Sequence, residues 1–174
     1  MKKLLYKAGT VFSQLILDIV CQGIDAVSKY DRVVQRELSG FPENTIMGFS
    51  AVMDGKPSCV IKKNGAFHKV KDHTIQPDIL ISFKSLKAAY AVLLGIDSVK
   101  TAYLNYRLYY KGDLMLSAAI LRIMDRVESY LFPDFIMKRL LSMKPVRQVS
   151  KILIYGTVIS SLLGFNKGVS YENT

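Results

Sequence analysis

Apolar and polar positions along this chain alternate between two periods, three-to-four and two. Leu5, Ala8, Phe12, Leu15, Ile16, Ile19, Val20, Ile24 and Val27 recur at intervals of three and four, the spacing of one helix face. The pattern predicts a helix that continues, with a break, to Leu38. Ser39-Gly40-Phe41-Pro42 stops it, because Gly releases a helix and Pro cannot extend one. The period then shortens to two. Met47, Phe49, Ala51 and Met53 fall on one side of a segment over 45–53, and Asp54-Gly55 turns the chain into a second strand over 58–63. Asn64-Gly65 repeats the turn signal and predicts a third strand over 66–71.

The next stretch, from Pro77 to Leu121, is the most informative. Pro77-Asp78 opens a strand in which Ile79, Ile81 and Phe83 share one face. Ser85 is a helix cap for 86–94, with Gly95 as the stop, and Ser98 precedes a short helix to 104. Leu108 and Tyr110 alternate with Arg107, Tyr109 and Lys111 as in a sheet strand, and Gly112-Asp113 turns into a helix over 114–131. Leu116, Ile120, Met124, Val127 and Leu131 form one stripe of that helix, and Arg122, Asp125, Arg126 and Ser129 the opposite one. Phe132-Pro133 ends it. Asp134 caps a helix to 143, Pro145 suits a first helical turn, and a last helix over 146–163 stops at Gly164. The tail beyond Gly168 is expected to fray. There is no repeat, low-complexity tract or linker.

This order of elements resembles the sterol carrier protein type 2 domain, a small intracellular lipid-binding fold. The likeness rests on Asp54-Gly55, Pro77-Asp78 through Ser82, Leu93-Leu94-Gly95, and Ala102-Tyr103 followed by Arg107-Leu108-Tyr109-Tyr110-Lys111-Gly112-Asp113. Leu114, Leu116, Ala118 and Leu121 then match the apolar helix after the glycine-aspartate step. It covers 45–131, and these motifs are structural rather than catalytic. Tyr106 stands where the family pattern often has Gly, and both termini carry long extra segments. The resemblance implies an α+β fold: a sheet of about five strands, mostly antiparallel, with helices on one face, extended by extra N- and C-terminal helices. We divide the chain into an N-terminal helical extension (1–44), a lipid-binding core (45–131) and a basic C-terminal extension (132–174), all in one compact domain. Phe83, Leu86, Tyr90, Leu93, Leu94, Tyr103, Leu116, Ile120 and Met124 are read either as plain core or, in keeping with the family, as the lining of an apolar tunnel between the middle helices and the sheet.

Composition sharpens this picture. At 174 residues the chain suits one domain, which commonly runs about 100 to 150 residues. Half of it is hydrophobic and mean hydropathy is +0.20, although 22% of residues are charged, so some apolar surface is expected to face a ligand, a partner or a membrane. Formal net charge is +10. Lys138, Arg139, Lys144, Arg147 and Lys151 follow one another with no acid among them, which is the pattern of a solvated helix face or of attraction to anionic lipid, where each cation is worth roughly 1 kcal/mol. Nucleic acid is not expected, since no recognition motif accompanies the charge.

Candidate chemistry is sparse. His68 and His73 lie near Asp72 and Asp78, but on strand and turn rather than on one helix face, so a structural or surface role is preferred to metal binding. Gly55-Lys56-Pro57-Ser58 is a turn, not a phosphate loop, because Pro57 forbids the helix that would bind phosphate. Hydrolase, dehydrogenase and metalloprotease motifs do not occur, so no catalytic residue, metal or cofactor is assigned. Cys21 and Cys59 are isolated thiols without paired spacing. Tyr103, Tyr106, Tyr109 and Tyr110 offer apolar rings with hydroxyls, suited to packing or to a lipid head group. The first twenty residues lack the cleavage pattern of an export signal, and the uncharged run 152–166 is shorter than the roughly 20 residues that cross a bilayer.

The expectation is therefore a non-enzymatic, cytoplasmic protein, peripheral on membranes, that binds or transfers a fatty acyl, sterol-like or isoprenoid lipid. The alternative is an accessory or scaffold protein that presents a lipid to a partner enzyme or self-associates through its flanking helices. Expected partners are the lipid, an anionic membrane surface, and a partner protein or second copy.

Overall fold

The computed structural model describes residues 2–72, 74–140 and 147–163. The long apolar period at the N-terminus forms α1 (Lys2–Tyr30) and α2 (Arg32–Leu38). The break between them is Asp31, whose extended backbone (φ −96°, ψ 113°) lets its carboxylate accept from the N–H groups of Val33 and Val34, the capping geometry. Five strands follow: β1 (Ile46–Ser50), β2 (Ser58–Lys63), β3 (Ala66–Val70), β4 (Ile79–Phe83) and β5 (Leu108–Lys111). Between and after β4 and β5 come α3 (Leu86–Leu93), α4 (Val99–Leu104), α5 (Leu114–Leu131), α6 (Asp134–Leu140) and α7 (Lys151–Leu162). The fold is α+β, as the resemblance implied. Sheet order is β3-β2-β1-β4-β5, with β1 and β4 parallel and the other pairs antiparallel. Asn64 and Gly65 make the β2–β3 turn with φ of 53° and 75°, the left-handed pair a two-residue hairpin needs.

The helices lie on one face of the sheet. Met47, Phe49, Ile79, Ile81 and Phe83 point there and meet Leu17, Cys21, Ile24, Ile120 and Ile123 of α1 and α5 in one core, which also takes in Ile154 and Val158 of α7. On the other face a smaller cluster of Ile46, Cys59, Ile61 and Val70 packs against Ile75. The 71–78 connection covers β1 so closely that a Cβ on Gly48 would sit 2.7 Å from Pro77 Cγ. With both faces covered, β1 is buried at every position rather than only on the side its alternation predicts.

Over Tyr6–Tyr30, α1 is long and apolar enough to cross a membrane by length and composition. Its second half instead belongs to the core and is clamped to β2 and β3. Lys69 Nζ and Ser58 Oγ donate to Asp18 at 2.5 and 2.9 Å, and Lys69 N–H donates to Asp25 at 3.0 Å. The first half leaves Tyr6, Val11, Phe12 and Leu15 exposed.

Two expectations change. The last helix begins at Lys151 rather than 146, because Ser150 caps it and the preceding residues bind α5 instead: Arg147 Nε donates to the Ser129 carbonyl at 3.0 Å and Gln148 N–H to Tyr130 Oη at 3.1 Å. The polar stripe of α5 is largely internal, with Arg126 and Ser129 buried and Asp125 half-buried. Arg126 Nε and Tyr130 Oη both donate to Asp31, at 2.8 and 2.7 Å, so these groups tie α5 to the α1–α2 break. Tyr106, where the family pattern often has Gly, adopts φ +55°, the left-handed conformation for which Gly is the usual residue. His73, Pro145, the end of the helix predicted to 143 and the predicted start of the last helix at 146 lie outside the described residues.

Candidate functional site

An apolar cavity of about 310 Å³ lies among four helices, at the small end of the roughly 300 to 1,000 Å³ typical of ligand pockets. The 3.6-residue period of α1 brings Ile16, Ile19 and Val20 to one wall. Val92 and Leu93 of α3 form a second. Met124, Val127, Glu128 and Leu131 of α5, followed by Phe132, form a third, and Tyr155, Val158, Ile159 and Leu162 of α7 close the fourth. Ile159 and Leu162 line the cavity and are also 54% and 48% exposed, so the mouth lies along α7. The described lining contains no Lys, Arg or His.

Position rather than residue type corrects the expected tunnel. Phe83 and Ile120 are buried in the core between α5 and the sheet, and no strand residue lines the cavity. The hollow sits one layer further out, where α7 closes over α1 and α5. Of the nine candidate lining residues, Leu93 and Met124 reach it. Leu86 and Tyr90 instead border an open groove with Lys84, Lys87, Tyr106 and Arg107, Leu94 and Tyr103 are exposed, and Leu116 packs at the edge of the core.

Sequence reasoning missed the walls from α1 and α7 and missed Glu128. Two signals pointed there. The run 151–162 is apolar on every side, so one face must be covered by protein and another left for something else. Glu128 lies four residues after Met124 and three before Leu131, an acid within the apolar stripe.

Electrostatics separate the two carboxyls on this side of α5. Burial pushes the Glu128 carboxyl well above the ordinary range, the nearby Asp125 carboxyl adds to this, and a hydrogen bond from Val99 N–H opposes it. Asp125 is likewise raised by burial, against the pull of Lys100, and its Oδ1 is buried without a partner. Tyr155 Oη donates to the Leu131 carbonyl at 3.0 Å.

Among the basic residues expected at a membrane, Lys138 is exposed. Arg147 and Lys151 turn inward. Asp134 accepts from both, at 2.6 and 2.9 Å, and Lys151 Nζ also donates to the Phe132 carbonyl. The acid that neutralises the run stands just before it in sequence. Lys144 and the side chain of Arg139 lie outside the described residues. Tyr103 and Tyr110 stack edge-to-face at 5.7 Å, and burial, then Tyr103, pushes the Tyr110 phenol up to about 12. His68 Nε2 sits 3.2 Å from the Lys63 carbonyl. Among the described residues no group of three or more His, Cys, Asp or Glu is placed to hold a metal.

No family model and no curated protein matches the chain. Solved structures that it is similar to are sterol carrier protein 2 domains. Sterol Carrier Protein 2 from Yarrowia lipolytica in its apo form is 21% identical, with 68% of this chain and 93% of that one covered and a TM-score of 0.42. The sterol carrier protein domain 2 of Helicoverpa armigera is 12% identical, covering 63% and 85%, with a TM-score of 0.41. A UbiJ-SCP2 ubiquinone synthesis protein is 9% identical, covering 73% and 98%, with a TM-score of 0.40. At these scores a function must rest on the cavity itself.

Proposed function

We propose that this protein is a non-enzymatic lipid-binding or lipid-transfer protein that holds a hydrocarbon ligand between α1, α3, α5 and α7. The observation that carries this reading is the cavity, predominantly apolar and with a half-exposed rim at Ile159 and Leu162. Burying hydrocarbon supplies roughly 0.8 kcal/mol per CH₂, so ten carbons gross about 8 kcal/mol before association entropy is subtracted. The exposed α1 residues Val11, Phe12 and Leu15 stand one helical turn from Leu15, Ile16 and Ile19, so an apolar stripe runs from the surface to the cavity wall. Exposed Ile152 and Leu163 extend the apolar surface of α7. Contact of this face with a bilayer, aided by the +10 charge, would deliver lipid to the mouth. Organic extraction of the freshly isolated protein and titration of the delipidated protein with fluorescent lipid probes test the reading. Absence of both co-purifying lipid and probe binding sinks it.

A second reading, an accessory protein, draws on exposed Leu104, Tyr106 and Tyr109 beside the edge strand β5. A stable oligomer by light scattering that ignores anionic vesicles in flotation favours it.

A further inference from the structure

The cavity has a polar feature that a simple grease-filled slot would not need. Glu128 stands within the Met124, Val127 and Leu131 wall, is 8% exposed, and takes a hydrogen bond from Val99 N–H at the start of α4. Resting on the lipid reading above, we propose that Glu128 selects lipids with an uncharged, hydrogen-bond-accepting head, such as an alcohol, ketone or ester, over fatty-acid anions.

Two observations carry the selection. A carboxylate ligand would find no cation in the described lining to neutralise it. Among the described lining residues the acid that it would meet is Glu128 itself. Burying an anion there without a counter-charge is strongly unfavourable. An uncharged head meets the opposite situation. Burial favours the uncharged form of Glu128, and an uncharged carboxyl has an O–H to donate and an oxygen to accept from Val99 N–H. The phenol of Tyr155 already donates to the Leu131 carbonyl, which leaves Glu128 as the side-chain donor in this lining. Lys100 acts on Asp125 but does not line the cavity, so it offers a lipid head no salt bridge there.

The experiment uses the full, delipidated chain at pH 7.5 and an uncharged pyrenyl-alkane as the fluorescent probe. Hexadecanol, methyl palmitate, palmitate and hexadecylamine compete for it at concentrations below their aggregation limits. Hexadecanol and methyl palmitate should displace the probe at concentrations about tenfold lower than palmitate, the gap expected from one buried charge-dependent hydrogen-bonding difference. Glu128→Leu should lower hexadecanol affinity about tenfold relative to the pyrenyl-alkane. Glu128→Gln, which keeps a donor and cannot ionise, should retain more of the hexadecanol affinity than the Leu variant. Circular dichroism confirms that both variants fold. Equal competition by palmitate and hexadecanol in the unaltered protein overturns the proposal. So does preference for hexadecylamine, or selectivity that survives both substitutions. Failure of the probe itself to bind overturns instead the lipid reading on which it rests.

Discussion

A hollow and a filled core respond oppositely to the same added ring, and α7 offers both environments one turn apart. Val158 is 5% exposed and lines the cavity, whereas Ile154 is fully buried in the core and does not line it. Val158→Phe adds about four carbons. At about 0.8 kcal/mol per carbon, full burial would give about 3 kcal/mol, and the entropy of a fixed ring and imperfect packing reduce this to about 1–2 kcal/mol of stabilisation. The same enlargement at Ile154 has nowhere to go and should cost about 1–3 kcal/mol through overpacking. Urea unfolding of the delipidated proteins measures both, and a gain of 1 kcal/mol should raise the melting temperature by roughly 2–4 °C in a chain of this size. Val158→Phe should also weaken binding of the pyrenyl-alkane, because the ring occupies the space that the ligand needs. Destabilisation by Val158→Phe comparable with that of Ile154→Phe, with probe binding intact, would refute the claim that α7 closes over a usable hollow.

The remaining predictions concern the frame around that hollow. Asp31→Asn keeps the helix cap but removes the charge that Arg126 Nε meets at 2.8 Å, so stability should fall by about 3 kcal/mol in denaturant titration. Burial pushes the Asp31 carboxyl up, but hydrogen bonds from Tyr130 and Arg126, the Arg126 charge and Val33 N–H outweigh it and hold the pKa below its usual value. Its contribution is therefore complete above the unfolded carboxylate range and lost as pH falls through the lower folded value, a loss that the Asn variant should not show. Glu128 acts oppositely: its raised pKa makes stability decline as pH climbs above the ordinary carboxylate range, and Glu128→Gln should flatten that decline. Tyr106 is 82% exposed at φ +55°, so Tyr106→Gly should stabilise the fold by about 1 kcal/mol in thermal melts. Gly112→Ala should cost about 1–3 kcal/mol, since φ is +106° and the new Cβ would clash with the Asp78 carbonyl.

Local signals in the sequence determined the elements. The Asp54-Gly55 and Asn64-Gly65 turns, the Ser85, Ser98 and Asp113 caps, and the periods of two and of three to four act within a few residues. The five strands and most helix limits followed from them. A break before Leu38 was legible, but its place at Asp31 and its role were not, because Arg126 and Tyr130 reach it from 95 and 99 residues away. The same limit governs the site. Leu93 and Met124 were legible as apolar, and so were Phe83 and Ile120, yet only packing decides which apolar side chains meet one another and which border empty space. Likewise the basic run from Lys138 to Lys151 reads as free charge until folding brings Asp134 against Arg147 and Lys151. Sequence fixes what a residue can do through its neighbours along the chain. Whether it fills a core, lines a cavity or meets its counter-charge depends on contacts between distant segments, and here it was the closure of α7 over α1 and α5 that decided.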